Sequence, residues 1–368
     1  MNNVHSVYIH IPFCKTICSY CDFCKMFYNE QLVDKYLISL KKEITNNYKG
    51  ELITTIYIGG GSPSSLNLEQ LKKLKEIIAI FKLDKSNEFT IEVNVNDVTL
   101  DKLLMYKDMG VNRISIGVET INKKFLSFLN RYHTKEDVLS KMGLVKKYFS
   151  NINVDFMYGF VGQNIDDLKE DLSFFKDLDV EHISIYSLIL EPNTRLYIDR
   201  VKSIDEDIES EMYYYIINYL EKMGFKHYEI SNFSKTGYQS KHNLVYWNNL
   251  EYYGFGLGAS GFINNIRYVN TRSINNYLKG NYVLEEEIQT KNLNMENEMI
   301  LGLRKIEGVN KSTFFDKFNC HIEDVFDIVR LVDSNMLVDE NDHLFIPSDK
   351  LYIENSILVN FIGGSNNG

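Results

Sequence analysis

The chain has 368 residues, of which 44% are hydrophobic and 24% charged, and its formal net charge is −10. These proportions describe a globular chain with room for a large catalytic domain and a smaller one, and exclude collagen-like, mucin-like and wholly disordered classes. The acidic balance argues against a broad phosphate-binding surface.

From the N-terminus, MNNVHSVYIHIPF carries no basic n-region, no long apolar stretch and no cleavage site, so no signal peptide is expected. Apolar alternation predicts strands near Val7 to Ile11, Ile53 to Ile58, Phe89 to Val93, Arg113 to Val118, Val154 to Tyr158 and His182 to Tyr186. Amphipathic helices are predicted over Leu68 to Phe81, Leu100 to Met109, Lys135 to Tyr148, Ile165 to Leu178 and Ile204 to Met223, several behind Asn, Thr or Ser caps. Six strand–helix alternations call for an α/β fold with parallel strands, and about 200 residues for six units suit a partial (β/α)6 barrel over residues 1–230. In such a barrel, chemistry sits on the loops that follow the strands.

An aromatic and glycine-rich extension is expected over residues 231–275, then a polar linker over 276–294. Residues 295–368 read as a winged-helix-like module, with helical patterns near Glu296 to Arg304, Thr313 to Lys317 and Glu323 to Leu331, a hairpin at Asn341 to Asp342, and a last helix near Leu351 to Phe361. Residues 291–368 hold 7 Lys and Arg against 13 Asp and Glu, the wrong sign for DNA, so no nucleic-acid partner is expected. No run approaches the roughly 18 apolar residues of a membrane span, so an integral membrane protein is not expected either.

Four of the five cysteines crowd into eleven residues, a spacing that suits metal ligation in a reducing, cytoplasmic setting rather than a disulfide framework. In CKTICSYC, directly after the first strand, Cys14, Cys18 and Cys21 can hold three irons of a four-iron cluster and leave the fourth open to a ligand. Zinc is the alternative, although structural zinc usually takes four ligands in two separated pairs. Cys24 complicates both readings, because it extends the motif into a ferredoxin-like run that lacks its last member. The triplet Gly59, Gly60 and Gly61 follows the second strand, where backbone without Cβ can approach a ligand. Glu92, Arg131 and Asp155 lie at strand ends or in loops; carboxylates suit ribose hydroxyls or an ammonium, and a guanidinium suits a carboxylate.

YIHIPFCKTICSYCDF resembles the radical S-adenosylmethionine superfamily, in its branch of oxygen-independent coproporphyrinogen oxidases and HemW-type heme chaperones. The resemblance continues through IYIGGGSPSSL, FTIEVN, GVNRISIGVET, NRYHT, VDFMYGFVGQ, HISIYSLILEPNT and ILGLRKIEGVN. It implies a radical S-adenosylmethionine barrel with a 4Fe-4S cluster on Cys14, Cys18 and Cys21. It also implies S-adenosylmethionine contacts from Tyr8, Gly60 and Glu92. In the oxidase it further implies a second such molecule, near Tyr20, Gly61, Ser62, Glu119, Arg131 and Asp155.

The chain departs from the family pattern at Glu119, where Gln is usual, and at Val161 and Val95, where Pro is usual. An anion at 119 would repel a carboxylate partner, which puts the second molecule in doubt. The oxidase branch carries an N-terminal extension of several tens of residues and a fourth cysteine two positions after the third; here the motif begins at residue 14 and Cys24 stands three positions after Cys21. KHNLVYW, from Lys241 to Trp247, matches instead the H-N-x-x-Y-W motif of the chaperones and implies heme binding by His242. The resemblance therefore implies a heme carrier that delivers to acceptor proteins, membrane-bound respiratory components among them, with flavodoxin or ferredoxin as reductant. The alternatives are oxidative decarboxylation of coproporphyrinogen III, a related radical reaction on a tetrapyrrole or methyl acceptor, or a non-radical zinc or electron-transfer protein.

Overall fold

The computed structural model describes residues 4–363; residues 1–3 and 364–368, the outer ends of the first and last expected segments, lie outside the described residues. Six strands stand side by side in chain order and run parallel: β1 (Ser6–Ile11), β2 (Leu52–Gly60), β3 (Lys82–Asn94), β4 (Arg113–Glu119), β5 (Ile152–Tyr158) and β6 (His182–Ser187). One alternate set of side chains is aliphatic or aromatic, such as Ile9, Ile58, Ile91, Ile116, Val154 and Ile185, and is buried in the main core. The other set, with Tyr8, Tyr57, Glu92, Ser115 and Asp155, is polar. Side chains alternate across a strand, so this two-step pattern separates a helix-covered outer face from an inner face able to do chemistry.

The connecting helices begin where caps foretell them. Asn67 with Gln70, Thr134 with Asp137 and Asn164 with Asp167 form capping boxes, and Thr99 caps the helix Leu100–Met109. A further helix, α1 (Glu30–Asn47), joins β1 to β2 and is not among the elements read from sequence. It buries Val33, Tyr36, Leu37, Leu40 and Ile44 at helical spacing, while exposed Ile38 breaks the polar face that would have marked it. Strand β3 begins seven residues before expected, because Lys82 to Asn87 is polar and bulged and lacks apolar alternation.

The sheet continues beyond residue 230. Strands β7 (Lys226–Glu229) and β8 (Asn232–Ser234) add antiparallel pairs beyond β6, and β9 (Tyr253–Phe255) pairs parallel with β1 at the opposite edge. The order is β9-β1-β2-β3-β4-β5-β6-β8-β7, an open, partial barrel. Strands of three or four residues are too short to show a period, and the boundary expected at residue 230 falls inside this pairing.

The segment expected as a linker is structured. It holds the helix Ile274–Leu278 and the strand Val283–Ile288, which pairs with Ile266–Asn270 beside Ser260–Ile263. All six residues of VLEEEI are exposed, and three consecutive glutamates protect this edge from further pairing.

The C-terminal module packs helices Lys291–Gly302, Lys311–Phe318 and Ile328–Asp333 with a three-stranded sheet of Val309–Asn310, Val338–Glu340 and His343–Phe345. This is a winged-helix-like arrangement. Its hairpin turns on Asn341 and Asp342 at φ of 52° and 65°, the paired positive values of a type I′ turn. The expected last helix is split into the short turns Ser348–Ile353, Glu354–Leu358 and Val359–Phe361. Among the described residues, no helix is long and apolar enough to cross a membrane.

Candidate functional site

A cavity of about 380 Å³ opens at the C-terminal ends of the parallel strands, and Cys14, Cys18, Cys21, Tyr20, Gly60, Gly61, Ser62, Glu92, Glu119, Arg131 and Asp155 all line it. The cysteine loop is closed on itself by short pairing of Phe13 with Met26, with Met26 N donating to Pro12 O at 2.7 Å and Tyr28 N to Cys14 O at 2.8 Å. Its far side rests on the helix Lys123–Phe128 and the turn after it, where Ser19 N donates to Leu129 O and Asn130 Nδ2 to Ile17 O. Burial, and then the neighbouring Cys21 and Cys18, push the Cys14 thiol up to about 12. Gly61 permits the close fit, since a Cβ there would stand 2.7 Å from the Pro12 carbonyl carbon and 3.0 Å from Cys14 Sγ.

The cavity wall carries two buried carboxyls, Glu92 and Asp155, neither of them in a salt bridge among the described residues, although the Arg113 charge acts on Asp155. Glu92 Oε1 accepts from Tyr57 Oη at 2.9 Å and its Oε2 from Gly60 N at 3.1 Å; burial and then the Asp155 charge push it up to about 7. Asp155 is raised by burial, against bonds from Asn153 Nδ2 at 2.9 Å and Ser115 Oγ at 3.2 Å. Asn153 is oriented from below. His182 Nδ1 lies 2.6 Å from Asn153 Oδ1, and an amide oxygen only accepts, so Nδ1 carries the proton and Nε2 accepts from Tyr228 Oη at 2.8 Å. Such a wall suits a ligand that brings positive charge.

Arg131 and Glu119 form a buried ion pair, with side chains 11% and 6% exposed, and Arg131 Nη1 also donates to Asn94 Oδ1 at 2.7 Å. Tyr20 Oη donates to Glu119 Oε1 at 3.3 Å. Glu119 takes a left-handed φ of 60° at a bulge between β4 and β5, and Gly117 leaves the space, since a Cβ there would meet both partners of the pair. The guanidinium expected to receive a carboxylate from a ligand is thus engaged by the protein itself.

Two expected residues do not line the cavity. Tyr8 stands beside the lining residue Tyr57, in register with it, its ring stacked on Tyr57 with 6.2 Å between centroids and its hydroxyl 2.9 Å from His10 Nδ1. His242 lies at the other, N-terminal end of the barrel, on the helix Lys241–Trp247, and is 1% exposed. Its Nδ1 is 2.8 Å from Thr55 Oγ1 and its Nε2 is 2.7 Å from Tyr246 Oη, so both ring nitrogens are engaged. Cys24 is absent from the cavity lining; its thiol packs beside Gly258, and the nearby Arg272 charge works against the rise that burial causes in its pKa.

Residues 8–175 match the family model of the radical SAM superfamily. The chain is 38% identical to Heme chaperone HemW of Lactococcus lactis over 370 residues, 97% of each chain. It is also 38% identical to Heme chaperone HemW of Bacillus subtilis over 375 residues, 97% of this chain and 99% of the relative. The chain belongs to the HemW heme chaperone family. In fold it is similar to coproporphyrinogen III oxidase (HemN) from Escherichia coli, with a TM-score of 0.87 at 20% identity over 98% of this chain and 91% of that one.

Several residues of the site were not singled out in sequence: Tyr57, Asn94, Ser115, Asn153 and His182. Their signal is present, for each is a polar residue or an aromatic hydroxyl at the inner position of an otherwise apolar strand. As to the cysteines, among the described residues no three His, Cys, Asp or Glu converge on a point that could hold a single metal ion. A four-iron cluster asks for something else, three thiolates around a shared space with one side open. Three thiols at the rim of one cavity fit that demand.

Proposed function

We propose that this chain is a heme carrier of the HemW type, which binds a 4Fe-4S cluster, S-adenosylmethionine and heme and hands heme to acceptor proteins. Cys14, Cys18 and Cys21 hold the cluster. The Gly60–Gly61 backbone, Ser62, Glu92 and Asp155 receive one S-adenosylmethionine, with Tyr8 supporting them through its stacking on Tyr57 and Arg131 fixing the wall through Glu119 and Asn94. When bound, the cluster supplies an electron to the sulfonium of its ligand. The protein's part is to hold the ligand's positive end against Glu92 and Asp155 and to keep water out.

Heme is the cargo, and His242 is its iron ligand. To take iron the imidazole gives up its bond to Thr55 or to Tyr246, so loading involves a movement of the helix Lys241–Trp247. Acceptors include membrane-bound respiratory proteins, and flavodoxin or ferredoxin is the reductant. Reduced thiols at the cavity rim suit a cytoplasmic setting.

The observation that carries this reading is full-length similarity to HemW heme chaperones, joined to three thiols at the rim of an anionic cavity. Titration with hemin tests it. The full chain should retain one heme with a shifted Soret band, and His242→Ala should weaken retention about tenfold or more. Equal retention by the variant would move the heme site elsewhere, and no retention by either protein would overturn the carrier reading.

A further inference from the structure

Two of the contacts that the helix Lys241–Trp247 and its cap make with the floor of the barrel each lead to one of the cavity's carboxyls. The first is the His242 ring, stacked on Tyr57 with 5.3 Å between centroids at 29°. Tyr57 in turn donates its hydroxyl to Glu92 Oε1, while Gly60 N holds Oε2. The second is Ser240, the residue that caps the helix. Its N–H donates to Tyr228 Oη at 3.1 Å, Tyr228 donates to His182, His182 to Asn153, and Asn153 Nδ2 to Asp155 Oδ1. Glu88 anchors the whole assembly by accepting from Lys241 N and His242 N, both at 3.0 Å. Tyr57 itself lines the cavity, while Thr55 and Glu88 stand nearer the N-terminal ends of the inner faces of β2 and β3.

His242 therefore has two uses that exclude each other in space. Seated on Tyr57, it has both nitrogens engaged and almost no exposed surface, and no iron reaches a lone pair. Turned out to bind iron, it uncovers one face of Tyr57, and the hydroxyl that orients Glu92 loses its backing. We propose that heme ligation by His242 and S-adenosylmethionine binding in the barrel cavity are negatively coupled through Tyr57 and Glu92, so that S-adenosylmethionine promotes release of heme. The proposal rests on His242 as the heme ligand and adds a coupling between two sites at opposite ends of the barrel. Because coupling is reciprocal, the factor by which heme weakens S-adenosylmethionine equals the factor by which S-adenosylmethionine weakens heme.

The test uses the cluster-reconstituted full chain. The Kd of S-adenosylmethionine is measured by calorimetry with and without one equivalent of hemin, and the Kd of hemin by Soret titration with and without saturating S-adenosylmethionine. Each should rise roughly tenfold in the presence of the other, within the usual range for coupled sites. Tyr57→Phe keeps the stacked ring and removes the hydroxyl, so it should bind heme normally, bind S-adenosylmethionine more weakly and bring the coupling factor close to one. If hemin binds through His242 but leaves the S-adenosylmethionine Kd unchanged, the coupling is overturned and the carrier reading stands. If no hemin binds, the carrier reading fails, and the coupling falls with it.

Discussion

His10 Nε2 lies 2.7 Å from the backbone oxygen of Cys24. A carbonyl only accepts, so Nε2 carries the proton and Nδ1 accepts from Tyr8. Burial lowers His10 to about 4, which keeps the ring neutral at physiological pH. Arg272 Nη2 adds a bond to Asp22 O at 2.7 Å. The end of the cysteine loop is thereby tied to the extension that follows the barrel, with the Cys24 thiol against Gly258 rather than in the cavity.

Cys24→Ala should consequently keep the brown chromophore and four irons per chain after anaerobic reconstitution. Cys14→Ala, Cys18→Ala and Cys21→Ala should each lose them. Iron analysis and the visible spectrum read the result, and loss of iron in Cys24→Ala would make that residue a ligand.

Glu92 predicts the pH dependence of S-adenosylmethionine binding. Burial and Asp155 raise its carboxyl to about 7 in the free protein, whereas a cationic ligand prefers the ionised form. Below about pH 7 the ligand must displace a proton, so affinity should fall by up to about tenfold per pH unit; above it, affinity levels off. Binding measured from pH 6 to pH 8 should show this slope in the wild type, and Glu92→Gln should bind more weakly with that part of the slope removed. Parallel curves for the two proteins would count against the assignment.

The Glu119–Arg131 pair makes a stability prediction. Arg131→Met strands a buried anion, at a cost of about 3–5 kcal/mol. Adding Glu119→Gln removes that charge and should recover most of the loss. Thermal melts of the single and double variants decide it, and a double variant no more stable than Arg131→Met would show that the guanidinium matters through something other than Glu119.

Much of this architecture is legible in the sequence. The six parallel strands announce themselves by alternation, and their inner polar positions mark the wall of the site; Asn67, Thr99, Thr134 and Asn164 mark the helix starts. The fate of Cys24 was not readable, because it depends on His10, Gly258 and Arg272, the last two more than 200 residues away. Nor was the position of His242. Its motif names a heme ligand by resemblance, but only the folded chain brings it to Thr55 and Tyr57, at the end of the barrel opposite the cysteines. The edge strands β7, β8 and β9 escaped for a simpler reason, since three or four residues cannot display a period.

The most direct test of the central claim sets carriage against conversion. The reconstituted chain is incubated anaerobically with S-adenosylmethionine, a reductant and coproporphyrinogen III, while a parallel sample receives hemin and, after gel filtration, an apo-acceptor of heme. A carrier should retain about one heme per chain, pass it to the acceptor, and yield no protoporphyrinogen. Formation of protoporphyrinogen, with no heme retained or passed on, would contradict the account.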